Sequence, residues 1–192
     1  MTASWPSTTI YTIGHSTRPI AEFIDLLRRA GVDCVVDVRS IPRSRANPQY
    51  DADALPKSLA AAQIDYCHLR ALGGLRPRRK PQAPSPNTLW RNQSFRNFAD
   101  YAETEPFRAG LDELRALART RRCALMCAEA VWWRCHRRII ADYLVTSGVP
   151  VGHIMGAGKI EPATLTPSAE IAADGTLVYP AASDQTDLFG RR

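Results

Sequence analysis

No run of apolar residues in this 192-residue chain approaches the roughly 20 needed to span a bilayer. The N-terminal stretch MTASWPSTTI lacks a basic region followed by an apolar one, so no secretion signal is read there. The chain is therefore expected in the cytoplasm, without a membrane partner and with reduced thiols. Its cysteines are few and odd in number, five, which argues against a closed disulfide framework. Their spacings fit no zinc-finger or zinc-ribbon pattern. Internal repeats are absent, which argues against a solenoid or propeller. Acidic residues are missing from the whole interval 69–96, which instead carries Arg70, Arg76, Arg78, Arg79, Lys80, Arg91 and Arg96. That block exceeds the net charge of +6 on the entire chain and favours an anionic partner, a nucleotide or a nucleic acid.

What is present suits a single globular domain. Hydrophobic residues make up 45% and charged residues 23%. TIYTIGHS (8–15) reads as a strand, and Thr17-Arg18-Pro19 as the capped start of a helix that Gly31 ends. CVVDV (34–38) is apolar enough for a strand covered on both faces. A helix over 53–63 leads to a third strand, IDYCHL (64–69). A long loop, 71–92, follows, and loops of this length are usually functional or disordered. Ser94 is read as the cap of a helix carrying Phe95, Phe98 and Tyr101. A second helix spans 105–118, CALMC (123–127) is the fourth strand, 135–146 is helical, and 149–155 is the fifth strand. After Gly156 periodicity fades. The expected fold is an α/β three-layer sandwich around a mainly parallel sheet of about five strands. It occupies residues 8–167, with 168–192 a partly flexible extension that frays over 182–192.

A parallel sheet brings all strand ends to one edge, where ligands of such folds bind. His15 and Ser16 close strand one, Asp37 and Arg39 strand two, and Cys127 and Glu129 strand four. His68 and His153 lie late in strands three and five. Cys135, His136 and Arg137 open the helix after strand four, at its positive end. Residues distant in sequence thus converge.

The richest segment is Cys127-Ala-Glu129-Ala-Val-Trp132-Trp133-Arg134-Cys135-His136-Arg137. A thiol at a strand end facing a helix start and arginines is a candidate nucleophile, and Cys127 is that thiol; the alternative is a small buried hydrophobe. Cys127 to Arg134 is one residue too long for a phosphatase Cys-x5-Arg loop, and the paired tryptophans are bulky. Zinc is the lesser option. Cys127, Cys135, His136 and His15 offer ligands, but sequence neighbours rarely chelate one ion together, so no cofactor is expected. Asp37 and Glu129 can activate water or orient an imidazole, with an Asp37 salt bridge to Arg39 or Arg137 as the structural alternative. The basic loop around Gly73-Gly74, with Trp90, Phe95, Trp132 and Trp133, combines charge with stacking surfaces.

TIGHST (12–17), DVRSIPRS (37–44), LGG (72–74), CAE (127–129), CHR (135–137) and IEPATLTP (160–167) resemble the family called domain of unknown function 488. The resemblance covers residues 8–167 and names no reaction. It implies that His15, Asp37, Arg39, Cys127, Glu129, Cys135, His136 and Arg137 occupy the family's motif positions. The strand followed by Asp-Val-Arg is also similar to rhodaneses, although no rhodanese active-site loop follows.

The leading expectation is an enzyme acting on a nucleotide or nucleic acid, a hydrolase or lyase at a base or glycosidic bond. Its catalytic groups are His15, Asp37, Cys127, Glu129 and His136. Its substrate contacts are Ser16, Arg39, His68, Arg76, Arg78, Arg79, Lys80, Trp132, Trp133, Cys135 and Arg137. The alternatives are a thiol-dependent transferase moving sulfur through Cys127, and a non-catalytic nucleic-acid-binding module.

Overall fold

The computed structural model describes residues 8–77 and 84–181. Arg78, Arg79 and Lys80, and the frayed end expected at 182–192, lie outside the described residues. The core is a six-stranded sheet, mostly parallel, with helices on both faces. Its elements are β1 (Ile10–Gly14), α1 (Ile20–Arg29), β2 (Cys34–Asp37), α2 (Leu55–Ala60), β3 (Asp65–His68), α3 (Gln93–Ala102), α4 (Glu105–Ala118), β4 (Cys123–Cys127), α5 (Arg137–Thr146), β5 (Val151–Gly156) and β6 (Lys159–Pro162). The strand order is β3-β2-β4-β1-β5-β6. Strands β1 to β5 are parallel, and β6 runs antiparallel to β5.

The chain pattern explains the layers. All four residues of β2 are buried, as its nearly all-apolar run requires of a strand between two helix layers. Phe23, Leu26 and Leu27 of α1 recur at helical spacing and pack with Leu55 and Leu59 of α2 on one face. Phe98, Phe107, Leu111, Leu114, Ile139 and Ile140 of α3, α4 and α5 cover the other. Burying each Leu, Ile or Phe is worth about 1.5–3 kcal/mol. No described helix is long and apolar enough to cross a membrane.

Several boundaries differ from the sequence reading. Thr17 does not cap α1. Pro19 directly precedes the first helical residue, and no side chain caps that end. A tight turn intervenes, with Ser16 at φ 48° and Arg18 N–H bonded to His15 O. Asn92, not Ser94, caps α3, its Oδ1 accepting from Ser94 N–H at 2.8 Å. The fifth helix begins at Arg137, because Cys135 is extended (φ −126°, ψ 146°) and His136 is the first residue to turn helical (φ −56°, ψ −17°). Beyond Gly156 a sixth strand forms across a turn containing Gly158, at φ +70°. The segment after 167, read as an extension, adds a two-stranded ribbon (Glu170–Ile171 with Leu177–Val178) and places Leu177 and Tyr179 in the main core. Tyr179 O–H donates to Asp142, and its N–H donates to Asn87 Oδ1.

The topology creates one crevice. Connections β1–β2 and β2–β3 run toward one edge of the sheet, and β3–β4 and β4–β5 run back the other way. The chain therefore leaves the ends of the adjacent strands β2 and β4 in opposite directions, and a gap opens between their loops. Beside it, Gly14 at the end of β1 touches the β4 loop so closely that a Cβ there would lie 2.0 Å from Glu129 O. Gly14→Ala is expected to cost about 3 kcal/mol or more in urea unfolding. Gly156→Ala, where a Cβ meets nothing within 4 Å, should stay within about 0.5 kcal/mol of wild type.

Candidate functional site

The crevice holds a cavity of about 290 Å³. Arg39, Ser40, Ile41 and Arg43 line it from the loop after β2, and Gly74 and Leu75 from the loop after β3. Ser94 and Phe95 come from the start of α3. Cys127, Ala128, Glu129, Arg134, Cys135 and His136 come from the segment between β4 and α5.

Its floor is built around Arg39. Asp37 is fully buried, and its carboxylate accepts from Arg39 Nε and Nη2, from Arg39 N–H and from Tyr66 O–H at 2.8 Å. The remaining Arg39 donors reach Tyr50 O and, at 3.3 Å, His15 Nε2. Those bonds spend both partners. Asp37 has little accepting capacity left for a water, and the salt bridge named as the structural alternative is the one formed. His68 Nε2 donates to Arg39 O at 2.8 Å, tying β3 to the same frame. His15 stacks on Tyr50 at 4.1 Å, and burial pushes its pKa down to about 4. His15 N–H and Ser16 N–H donate to Cys127 O and Ala128 O, clamping β1 to the β4 loop. His15, Ser16, Asp37 and His68 thus support the rim from behind, outside the cavity lining.

The wall carries two thiols and an imidazole. One donor atom each from Cys127, Cys135 and His136 lie within 4.8 Å of one another. His136 Nδ1 is 3.5 Å from Cys135 Sγ, while its Nε2–H donates to Val38 O at 3.0 Å. Arg137 Nε donates to Cys135 Sγ at 3.2 Å, and its guanidinium also reaches Glu129 O. Burial pushes the Cys135 thiol up. A hydrogen bond from Cys127 and the charges of His136 and Arg137 outweigh it and hold Cys135 well below the ordinary thiol range. Cys127, donating to Cys135 and buried, is pushed up. Of the two sulfurs, Cys135 is the one its surroundings ionise. The LGG motif has a packing reason here: a Cβ on Gly74 would lie 2.4 Å from His136 Nδ1, and one on Gly73 2.7 Å from Ser40 Oγ.

The mouth is cationic. Arg43 and Arg134 are exposed, and among the described residues neither forms an ion pair. Glu129, half-buried, makes no side-chain hydrogen bond or ion pair among them either. Arg76 does not face the cavity. It lies 3.6 Å over the Tyr101 ring and donates to Gly73, Arg70 and Ala71 carbonyls, which staples its own loop. Trp132 stacks on His153 at 4.3 Å and donates to Glu161, and Trp133 is exposed beside it. Neither tryptophan lines the cavity, where Phe95 is the aromatic surface. Sequence reading gave no place in the site to Ser40, Ile41, Arg43, Arg134 or Ser94, the last read only as a helix cap. Arg43 and Arg134 stood inside the quoted motifs and were the signal at hand.

A doubly wound α/β sheet with ionisable side chains gathered at its switch point is thus the class of this protein. The family model described as Domain of unknown function DUF488 matches residues 19–144, about two thirds of the chain, and the chain belongs to that family. The match spans the motifs at 37–44, 72–74 and 127–137, and leaves TIGHST and IEPATLTP outside. No curated protein and no solved structure matches the chain.

His15 and His153 are both buried and neutral, His153 with Nδ1 on Thr12 Oγ1 and Nε2 without a partner among the described residues. Burial lowers both to about 4, against 6.5 unfolded. The unfolded chain therefore binds protons that the folded one refuses as pH falls from 6.5 toward about 4. Their contribution is complete above 6.5 and declines through that window. Thermal melting across it should show the decline, with a shallower slope in His153→Gln.

Proposed function

We propose that the chain is an enzyme acting hydrolytically on a nucleotide or an exposed nucleic acid strand, at a base or its glycosidic bond, in a reducing compartment such as the cytoplasm. One observation carries this reading. Among the described residues, a carboxylate without a side-chain partner, Glu129, and two arginines outside any ion pair, Arg43 and Arg134, line one crevice at the switch point of the sheet. Unneutralised guanidiniums at a half-open mouth draw phosphate and hold it bidentately. An unpaired carboxylate in the same enclosure is free to take a proton from water. Phe95 offers a face for a base to lie against. A cavity of about 290 Å³ accepts one nucleobase unit and excludes a duplex.

The test uses nucleoside monophosphates and fluorescent single-stranded oligonucleotides. The double variant Arg43→Ser/Arg134→Ser should weaken binding about tenfold or more and flatten its salt dependence. Glu129→Gln should keep the binding and lower release of free base, followed by chromatography, by about 100-fold or more. Wild-type protein that binds none of these probes sinks the reading. Binding without turnover, unaffected by Glu129→Gln, would leave only a nucleic-acid-binding module.

A thiol-dependent sulfur transferase is favoured by a different contact, Arg137 Nε donating to Cys135 Sγ. In that chemistry the Cys135 thiolate attacks the outer sulfur of thiosulfate. The S–S bond breaks, sulfite leaves with the electron pair, and Cys135 becomes a persulfide. An acceptor thiolate then takes the outer sulfur and returns the pair to Cys135. Peptide mass spectrometry after thiosulfate treatment should find one added sulfur on Cys135; an unmodified Cys135 excludes this chemistry.

A further inference from the structure

We propose that Cys127, Cys135 and His136 form a three-ligand zinc site whose fourth position opens into the cavity. Three features point there independently of any activity.

The first is the donor geometry. With Zn–S of about 2.3 Å and Zn–N of about 2.05 Å, a tetrahedral ion sets its sulfur and nitrogen ligands about 3.5 Å apart and two sulfurs about 3.8 Å apart. His136 Nδ1 and Cys135 Sγ already stand 3.5 Å apart. Cys127 Sγ lies within 4.8 Å of both, so a small side-chain rotation completes the triangle. Sequence neighbours rarely share an ion because their side chains diverge. Here the backbone changes from extended at Cys135 to helical at His136, which turns both side chains to one point.

The second is the orientation of the imidazole. Its Nε2 lies 3.0 Å from Val38 O and donates to it, so once the ring is neutral the Nδ1 lone pair faces the sulfurs. A ring nitrogen bonded to a backbone carbonyl is the usual second support of a histidine metal ligand. Arg137 Nε plays the matching part for Cys135, donating to the sulfur and offsetting the charge of two thiolates. Gly74 keeps clear the space beside Nδ1 that a Cβ would occupy.

The third is the ligand count and access. Two cysteines and one histidine suit zinc and exclude calcium or magnesium, which take oxygen. Structural zinc sites close with four protein ligands, whereas catalytic ones keep three and leave a position for water. All three ligands line the cavity, so the open position faces it, as does Glu129. Zinc binding stands on the cluster alone; its part in catalysis rests on the hydrolytic reading. Glu129 would then take a proton from the zinc-bound water, the hydroxide would add to the electrophilic carbon, and the leaving group would depart with the proton that Glu129 returns.

The full-length chain, reduced and loaded with zinc alone, should retain one zinc per chain through gel filtration, by elemental analysis. Cys127→Ser, Cys135→Ser and His136→Asn should each lose it, with circular dichroism confirming that they are folded. Glu129→Gln should retain it. Cobalt loading of the wild type reads the site without any variant: a thiolate-to-cobalt charge-transfer band with tetrahedral visible absorption is expected. A wild-type chain that holds neither zinc nor cobalt, or a Cys127→Ser chain that holds zinc as well as wild type, overturns the proposal. Zinc binding with full turnover in Glu129→Gln would instead sink the hydrolytic reading and leave the site standing.

Discussion

The buried ion pair of Asp37 with Arg39 is the contact that the rim of this molecule depends on. Both residues stand at the end of β2, and between them they engage Tyr66 of β3, His15 after β1, and the backbone at Tyr50 before α2. His68 adds a bond to Arg39 O. A guanidinium and a carboxylate this deep are each expensive to desolvate, and the pair is tolerated because nearly every donor and acceptor is used. Removing either partner strands the other, at a typical cost of 3–5 kcal/mol. The pair is therefore a frame around which three strand ends and a helix approach are fixed, and it sets the floor on which the cysteines, His136 and Glu129 are arranged.

From that frame the division of labour at the rim follows. Arginines fall into two kinds. Arg39, Arg76 and Arg137 are committed to carbonyls, an aromatic ring, a carboxylate or a sulfur, and act as internal fastenings. Arg43 and Arg134 keep their guanidiniums in solvent at the mouth. The histidines divide likewise: His15, His68 and His153 serve packing and hydrogen bonding, and His136 alone presents a ring to the cavity.

The sheet was legible from the chain because its parallel strands announce themselves. CVVDV and CALMC are apolar runs bounded by polar residues, as burial on both faces demands. β6 was not legible for the converse reason. KIEP is largely exposed and carries no apolar alternation, so only its pairing with β5 makes it a strand. The packing of Tyr179 escaped notice because the apolar stretch LVYP (177–180) is too short to show a period. At the site, the convergence of Cys127, Glu129, Cys135, His136 and Arg39 followed from strand ends alone. Which sulfur ionises did not, since that depends on where the first turn of α5 puts Arg137. Charge counting placed Arg76 among the phosphate contacts, yet a cation in a basic block is as readily consumed by nearby carbonyls and a tyrosine ring. The tryptophan pair misled for a related reason: Trp132 found a neutral imidazole to lie on before any ligand.

One end of the sheet is β6, where Lys159 and Glu161 pair on the surface and Pro162 lacks an amide hydrogen. The opposite end is β3, four residues long, its first residue Asp65 salt-bridged to Arg121. Charge, proline and brevity are the means by which proteins blunt a row of unpaired backbone groups. Neither border offers a foreign strand a clean ladder to extend, so a sheet this open at both sides is nonetheless poorly suited to growing by β-augmentation.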